Sequence, residues 1–216
     1  MTEPRLDVQG LALGYEGTVF LAGIDLQLAT GEIVAILGPS GSGKSTLLAE
    51  LAGVLPVPQG RIIVDGRDVT RAPIHERGVG LIFQEPLLFP HLDVAANIAY
   101  GLRRHGWSRR EADARTQELL DWLGLAGYGF RRTDELSGGQ AQRVALARAI
   151  APGPAVLGLD EPFSALDTEL RQRLVVEVAR MLREAGIAAL HVTHDAQEAH
   201  AIADRVIELS SLGHAP

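Results

Sequence analysis

The run Gly38-Pro39-Ser40-Gly41-Ser42-Gly43-Lys44-Ser45-Thr46 combines glycines, hydroxyls and one lysine in the pattern of a phosphate-binding loop. Glycines let successive backbone amides curl round a phosphate without Cβ clashes, and a helix starting after the loop adds its positive end. In such a loop Lys44 reaches the β- and γ-phosphates of a nucleotide, and the Ser45 hydroxyl can hold Mg²⁺. The competing reading is a glycine-rich turn with a chance Lys-Ser pair. The apolar run Ile33–Leu37 before it and the helix-forming Leu47–Leu51 after it supply the strand and helix that a phosphate loop requires. A nucleotide is therefore the expected ligand.

Two further stretches carry matching chemistry. Val156-Leu-Gly-Leu-Asp160-Glu161-Pro162 puts two carboxylates where an apolar strand runs out, the end of an open α/β sheet at which ligands bind. Asp160 there can join the Mg²⁺ shell, and Glu161 can orient or deprotonate an attacking water. Standing alone, the pair would read as an ordinary acidic loop. Gly158 is out of place in this strand and marks either a close backbone approach or a tolerated gap. Leu136-Ser137-Gly138-Gly139-Gln140 opens a helix with exposed amides and a hydroxyl, suited to an anion but, by itself, equally a plain capping box.

The elements needed to position these residues are legible as alternating strands and helices. Leu6–Leu13 and Phe20–Leu28 alternate apolar and polar residues, as half-buried antiparallel strands do. Ile33–Leu37, Ala155–Leu159 and Ile187–Val192 are continuous apolar runs that lead into helical patterns, which implies a parallel sheet covered by helices. Ser108 with Glu111, Ser137 with Gln140 and Asp195 with Glu198 have the spacing of reciprocal N-terminal capping boxes. Leu170, Leu174, Val175, Val178, Met181 and Leu182 form an inward helical stripe. The expected fold is α/β, a P-loop NTPase core with a mixed sheet, an N-terminal antiparallel β subdomain and a helical insertion. Residues 1–216 form one domain in this reading, with 5–87 and 151–209 as core and about 88–150 as the helical part. The stretch Ser210–Pro216 is expected to fray.

Composition sets the outer limits. The chain has 216 residues, 46% hydrophobic and 22% charged, which excludes the disordered and collagen-like classes. It contains no cysteine, so thiol and disulfide chemistry are absent. A net charge of −7 argues against nucleic acid as a partner. No apolar run approaches the ~18 residues of a membrane span, and Met1-Thr2-Glu3-Pro4 carries no export signal. The expectation is a soluble, cytosolic protein.

Over about residues 5–209 the sequence resembles the ATP-binding subunits of ATP-binding-cassette (ABC) transporters, with the family's motifs in order. Gly38–Ser45 resembles Walker A, Gln84 in Leu81-Ile-Phe-Gln-Glu-Pro the Q-loop glutamine, and Leu136–Gln140 the signature motif. Val156–Glu161 resembles Walker B, Ser164-Ala-Leu-Asp167 the D-loop, and His194 in Val192-Thr-His-Asp the switch histidine. Tyr15 falls where the family has an aromatic that stacks on adenine, although a lone aromatic after Gly14 is as often packing. The resemblance implies that Glu161 is the base or water-orienting group, His194 contacts the γ-phosphate, Gln84 senses Mg²⁺ or the water, and Asp167 crosses a dimer interface. It also implies a head-to-tail pair of chains with ATP between one phosphate loop and the other copy's Ser137 helix start.

Further partners implied by the resemblance are membrane-spanning permease subunits and a solute-binding protein, with this chain on the cytoplasmic side of the cell membrane. A short permease helix would dock in the cleft between core and helical insertion, and Leu87, Leu88, Phe89 and Pro90 are the apolar residues expected to receive it. Arg77–Val94 and Asn97–Leu102 resemble the importer subgroup handling thiamine, sulfate, molybdate, polyamines or ferric iron. Two alternatives compete: an ABC ATPase working as a mechanical switch in cell division, and a small-molecule kinase using the same loop. His191 lies within a strand and is expected to be structural. His75, His91, His105, His200 and His214 have no metal-site spacing.

Overall fold

The computed structural model describes residues 3–163 and 166–215. In chain order the elements are β1 (Leu6–Tyr15), β2 (Thr18–Leu28), β3 (Ile33–Leu37), α1 (Lys44–Ala52), β4 (Gln59–Val64), β5 (Arg67–Asp68) and β6 (Val79–Ile82). Then come α2 (Val94–Arg104), α3 (Arg109–Trp122), α4 (Gly138–Ile150), β7 (Val156–Asp160) and α5 (Thr168–Glu184). The chain continues through β8 (Ala188–Thr193), α6 (Ala196–Ile202), β9 (Arg205–Glu208) and α7 (Leu209–Leu212). These elements gather into two compact units, one of residues up to Leu81, Pro154–Glu161 and Gln172 onward, the other of Ile82–Gly153 and Pro162–Arg171.

The first unit holds two sheets. One is antiparallel in the order β2-β1-β4-β5, and the other runs β6-β7-β8-β3-β9, with β3, β7, β8 and β9 paired in parallel. Strands β3, β7 and β8 are buried along nearly their whole length, which is why they read as unbroken apolar runs. Helix α1 contacts both sheets, and its Leu47, Leu48 and Leu51 share one core with Leu13 and Ile24 of the first sheet and Val156, Leu190 and Val192 of the second. Arg77 closes the C-terminal end of α1. Its guanidinium donates to the carbonyls of Glu50 at 2.8 Å and Leu51 at 3.3 Å, acceptors that a helix end leaves open, and to those of Thr70 at 2.8 Å and Ala72 at 2.9 Å in the segment after β5. A Cβ at Gly53 would lie 2.5 Å from the Arg77 Nε, so the glycine permits this approach.

The second unit is helical. Helix α2 packs against α3 and α4, with Ile98, Leu102, Leu119, Leu120, Val144 and Leu146 buried. Ser108 and Ser137 each complete the reciprocal capping box expected of them, with Glu111 and Gln140. The buried Asn97 laces the preceding loop to α2: its side chain accepts from the Phe89 N–H and donates to the carbonyls of Phe89, Leu92 and Asp93.

Several expectations change. Asp195 caps α6 through the amides of Gln197 and Glu198, but Glu198 does not return the bond; it turns inward to His191 at 2.8 Å. Of the stretch expected to fray, the residues up to His214 are pinned instead, and Pro216 lies outside the described residues. Leu209–Leu212 forms α7, and His214 exchanges two 2.9 Å backbone hydrogen bonds with Ala22. The hairpin β4–β5 escaped the strand pattern, although Asp65-Gly66 at its turn, both at positive φ, is a strong hairpin signal. Strands β6 and β9 have four residues each, too few to show a strand pattern in sequence.

The structure accounts for Gly158. A Cβ there would stand 3.1 Å from both Leu48 Cδ2 and Leu81 Cδ1, so the strand lets the α1 leucine lie close. Gly158→Val should lower unfolding free energy by ~1–3 kcal/mol through overpacking, measured by urea titration.

Candidate nucleotide site

The parallel register brings three strand ends together. Leu37 at the end of β3 pairs with Thr193, and Asp160 at the end of β7 pairs with Val192. The phosphate loop leaves β3 at Gly38 and returns as α1 at Lys44. Gly43, the residue before α1, has φ 103° and supplies no capping side chain, so the first amides of the helix remain open to an anion. A Cβ on Gly43 would lie 2.5 Å from the Phe20 ring, so glycine is required here by conformation and by packing. Gly41 has φ 77° with open space around it. The Lys44 ammonium folds over the loop, donating to Gly38 O at 2.7 Å and Pro39 O at 2.9 Å.

Burial pushes the Asp160 carboxyl above its ordinary range, with the neighbouring Glu161 charge acting in the same sense, while a hydrogen bond from Ser45 and the charge of Lys44 pull it down. Ser45 and Asp160 thus set two hard oxygen donors side by side, beneath the phosphate loop. Among the described residues no group of three or more His, Asp or Glu could hold a metal. This donor set suits Mg²⁺, which takes one or two protein oxygens and completes its shell with phosphates and water. Glu161 adopts φ 45°, a strained conformation for a non-glycine residue, with its N–H on Val192 O at 3.1 Å. Its carboxylate meets His194 Nδ1 at 2.9 Å, and the His194 side chain is 62% exposed against 16% for Glu161. The Glu161–His194 hydrogen bond therefore lies just past Asp160, with the imidazole exposed and the carboxylate mostly covered.

Tyr15 ends β1 with 61% of its surface exposed. It lines a largely apolar groove of about 380 Å³ with Val19, Leu55, Pro56 and Pro58, suited to a flat base. Behind it lies a residue that the sequence reading missed. Glu50 of α1 is fully buried, and its carboxylate accepts the Gly14 N–H at 3.1 Å. Burial pushes this carboxyl up to about 7, although the Gly14 bond lowers it.

In the second unit, Gln84 is exposed in the segment after β6. The α4 residue Gln142, also missed, donates to Phe83 O at 3.3 Å and so ties that segment to the helix opened by Ser137. The two signature glycines differ. Among the described residues a Cβ on Gly138 would meet nothing within 4 Å, whereas one on Gly139 would stand 2.8 Å from Leu166 Cδ2. The Gln140 amide is committed internally, to Ser137 N and the Tyr128 hydroxyl. Asp167 is exposed and caps α5 at Leu170 N; Ser164 and Ala165 of the expected D-loop lie outside the described residues.

The sequence profile of the family described as ABC transporter matches residues 21–164. The chain belongs to the ABC transporter family. It is 51% identical over 207 residues to the Fe(3+) ions import ATP-binding protein FbpC of Streptomyces coelicolor, covering 96% of this chain and 60% of that protein. Identity to the FbpC of Streptomyces avermitilis is 50% over 202 residues, 94% of this chain and 59% of the other. The spermidine/putrescine import ATP-binding protein PotA of Frankia alni is 51% identical over 183 residues, 85% of this chain and 39% of that one. The chain thus spans three fifths or less of the length of these ABC relatives. Its mixed α/β architecture is that of the family's P-loop ATPase fold.

Two outcomes follow for this ABC chain. Lys44→Ala should reduce ATP affinity below detection by calorimetry, since it removes the buried cation that also braces the loop. Glu50 binds its proton more tightly folded than unfolded, so its contribution to stability is complete below pH ~4.5 and is lost as pH rises towards 7. Glu50→Gln should therefore be more stable than the parent at pH 8, on the order of 2–3 kcal/mol, with the difference vanishing near pH 4.5 in chemical denaturation.

Proposed function

We propose that this chain binds and hydrolyses ATP with Mg²⁺ to power an importer of small solutes, working as a pair of copies on membrane-spanning permease subunits. The observation that carries the reading is the Glu161–His194 hydrogen bond of 2.9 Å, placed one residue beyond Asp160 at the end of β7. In the proposed reaction a water oxygen attacks the γ-phosphorus and the bond to the β,γ-bridging oxygen breaks, giving ADP and phosphate. Glu161 orients the water and accepts its proton, and His194 holds Glu161 in place and contacts the γ-phosphate. Lys44 and the open amides of α1 bind the β- and γ-phosphates. Mg²⁺ held by Ser45 and Asp160 would neutralise phosphate charge, and Gln84 would sense the ion or the water. Tyr15 would stack on adenine.

Gly138 supports the paired arrangement. Among the described residues nothing crowds the place of the missing side chain, which supports an outward constraint, to the phosphates of ATP held by a second copy and approached by Ser137 and Gly139. Asp167 would cross between copies.

The membrane partner has a candidate seat on the second unit. Leu87 is 53% exposed and held at φ 41°, while Arg148 donates to the carbonyls of Pro86 and Leu87 and lies 5.1 Å over the Phe89 ring. A strained residue presenting an apolar side chain fits a short permease helix. No helix among the described residues is long and apolar enough to cross a membrane, in keeping with attachment to the cytoplasmic face through the permease. The relatives' names, for import of Fe(3+) ions and of spermidine/putrescine, favour a small-solute importer of that subgroup; a solute-binding protein would serve it, and the net charge of −7 argues against nucleic acid as a partner.

The test is Glu161→Gln. It should bind ATP with parental affinity, lose about 10²- to 10⁴-fold in turnover, and elute as a dimer with MgATP in size-exclusion chromatography. Parental hydrolysis by this variant would overturn the reading.

A further inference from the structure

The bend that carries His194 is closed by a buried pair that the hydrolytic reading does not use. Strand β8 ends at Thr193 and α6 begins at Ala196. His191, three residues before His194, meets Glu198, four residues after it, with Nε2 and Oε1 2.8 Å apart. The His191 side chain is fully buried and that of Glu198 is 7% exposed. Burying an acid and a histidine together yields little net stability, because desolvation offsets their attraction. The geometry offers another use. At its position in the first turn of α6, Glu198 has the spacing to accept the Asp195 N–H in a capping box, yet Thr193 Oγ1 takes that N–H at 3.1 Å and the carboxylate goes to His191.

We propose that His191 and Glu198 are positioning residues for the hydrolytic site, fixing the angle at which α6 leaves β8 and so holding His194 against Glu161. The inference rests on the roles given above to Glu161 and His194. Several anchors define the His194 backbone. The β7–β8 pairing sets Leu159 opposite His191 and Asp160 opposite Val192. The Glu161 N–H on Val192 O ties the two catalytic residues to one strand end. The His191–Glu198 bond adds an anchor from the first turn of α6, alongside the Leu37–Thr193 pairing and the Asp195 N–H on Thr193 Oγ1 at the bend itself. Hydrolysis depends on this angle, whereas adenine and phosphate-loop contacts come from β1, β3 and α1 and do not.

Steady-state kinetics on the full chain with MgATP test this. His191→Phe, which fills the space but removes the bond, and Glu198→Leu should each lower kcat by about 10- to 100-fold with KM and the calorimetric ATP affinity unchanged. Glu198→Gln, which can still bond to a neutral imidazole, should hold kcat within about threefold of the parent, a size expected where a hydrogen bond is kept. The proposal fails if either folded breaking variant turns over at the parental rate. It also fails if kcat and ATP affinity fall together, or if Glu198→Gln is as impaired as Glu198→Leu. If neither breaking variant folds, the pair is structural and the proposal is overturned. Glu161→Gln in the same series separates the cases: its inactivity beside an active His191→Phe sinks only the positioning role, whereas its parental activity sinks the hydrolytic reading beneath it.

Discussion

The arrangement at the nucleotide end depends on one constraint, the parallel register of β3, β7 and β8. Because Leu37 ends opposite Thr193 and Asp160 opposite Val192, within one residue of each other, the segments just beyond each strand gather at one edge: the phosphate loop after β3, Glu161 after β7 and His194 after β8. A shift of one residue in either pairing would turn the terminal side chains to the opposite face. The register is protected by burial. All three strands are covered, so any slip would expose apolar residues or bury polar ones, and α1 locks the set through Leu48 against Gly158.

Around that register the chain accepts local costs. Glu161 sits at positive φ, Asp160 and Glu50 are carboxyls that burial pushes towards the neutral form, and His191 and Glu198 are buried as a pair. Strain and desolvation of this kind gather where geometry has to be held against relaxation. Away from the site the same chain follows plain rules. Ser108 makes an ordinary capping box, and Arg77 serves the carbonyls at the end of α1.

How much of this was legible in the sequence varied with the range of the interaction. The phosphate loop, the Asp160-Glu161 pair, the strands β3, β7 and β8 and the helix starts at Ser108 and Ser137 were readable, since each is a local pattern of spacing and polarity. Glu50 was not, because whether a helical glutamate is buried depends on the strand end that covers it, and Gly14 lies 36 residues away. Gly158 could be flagged as odd but not explained until Leu48 and Leu81 were seen beside it. Asp195 and Glu198 had the spacing of a box, and His191 competed for the same carboxylate. The hairpin turn Asp65-Gly66 was a local signal left unused.

Asn97 has a consequence for recognition. With four hydrogen bonds from one buried side chain, the loop through Phe89 and Asp93 takes its shape when the helical unit folds. The conformational entropy of that segment is surrendered at folding and not at encounter. A partner docking beside Leu87 would therefore meet a surface already set in form, and its affinity would reflect fit more than the work of ordering a loop.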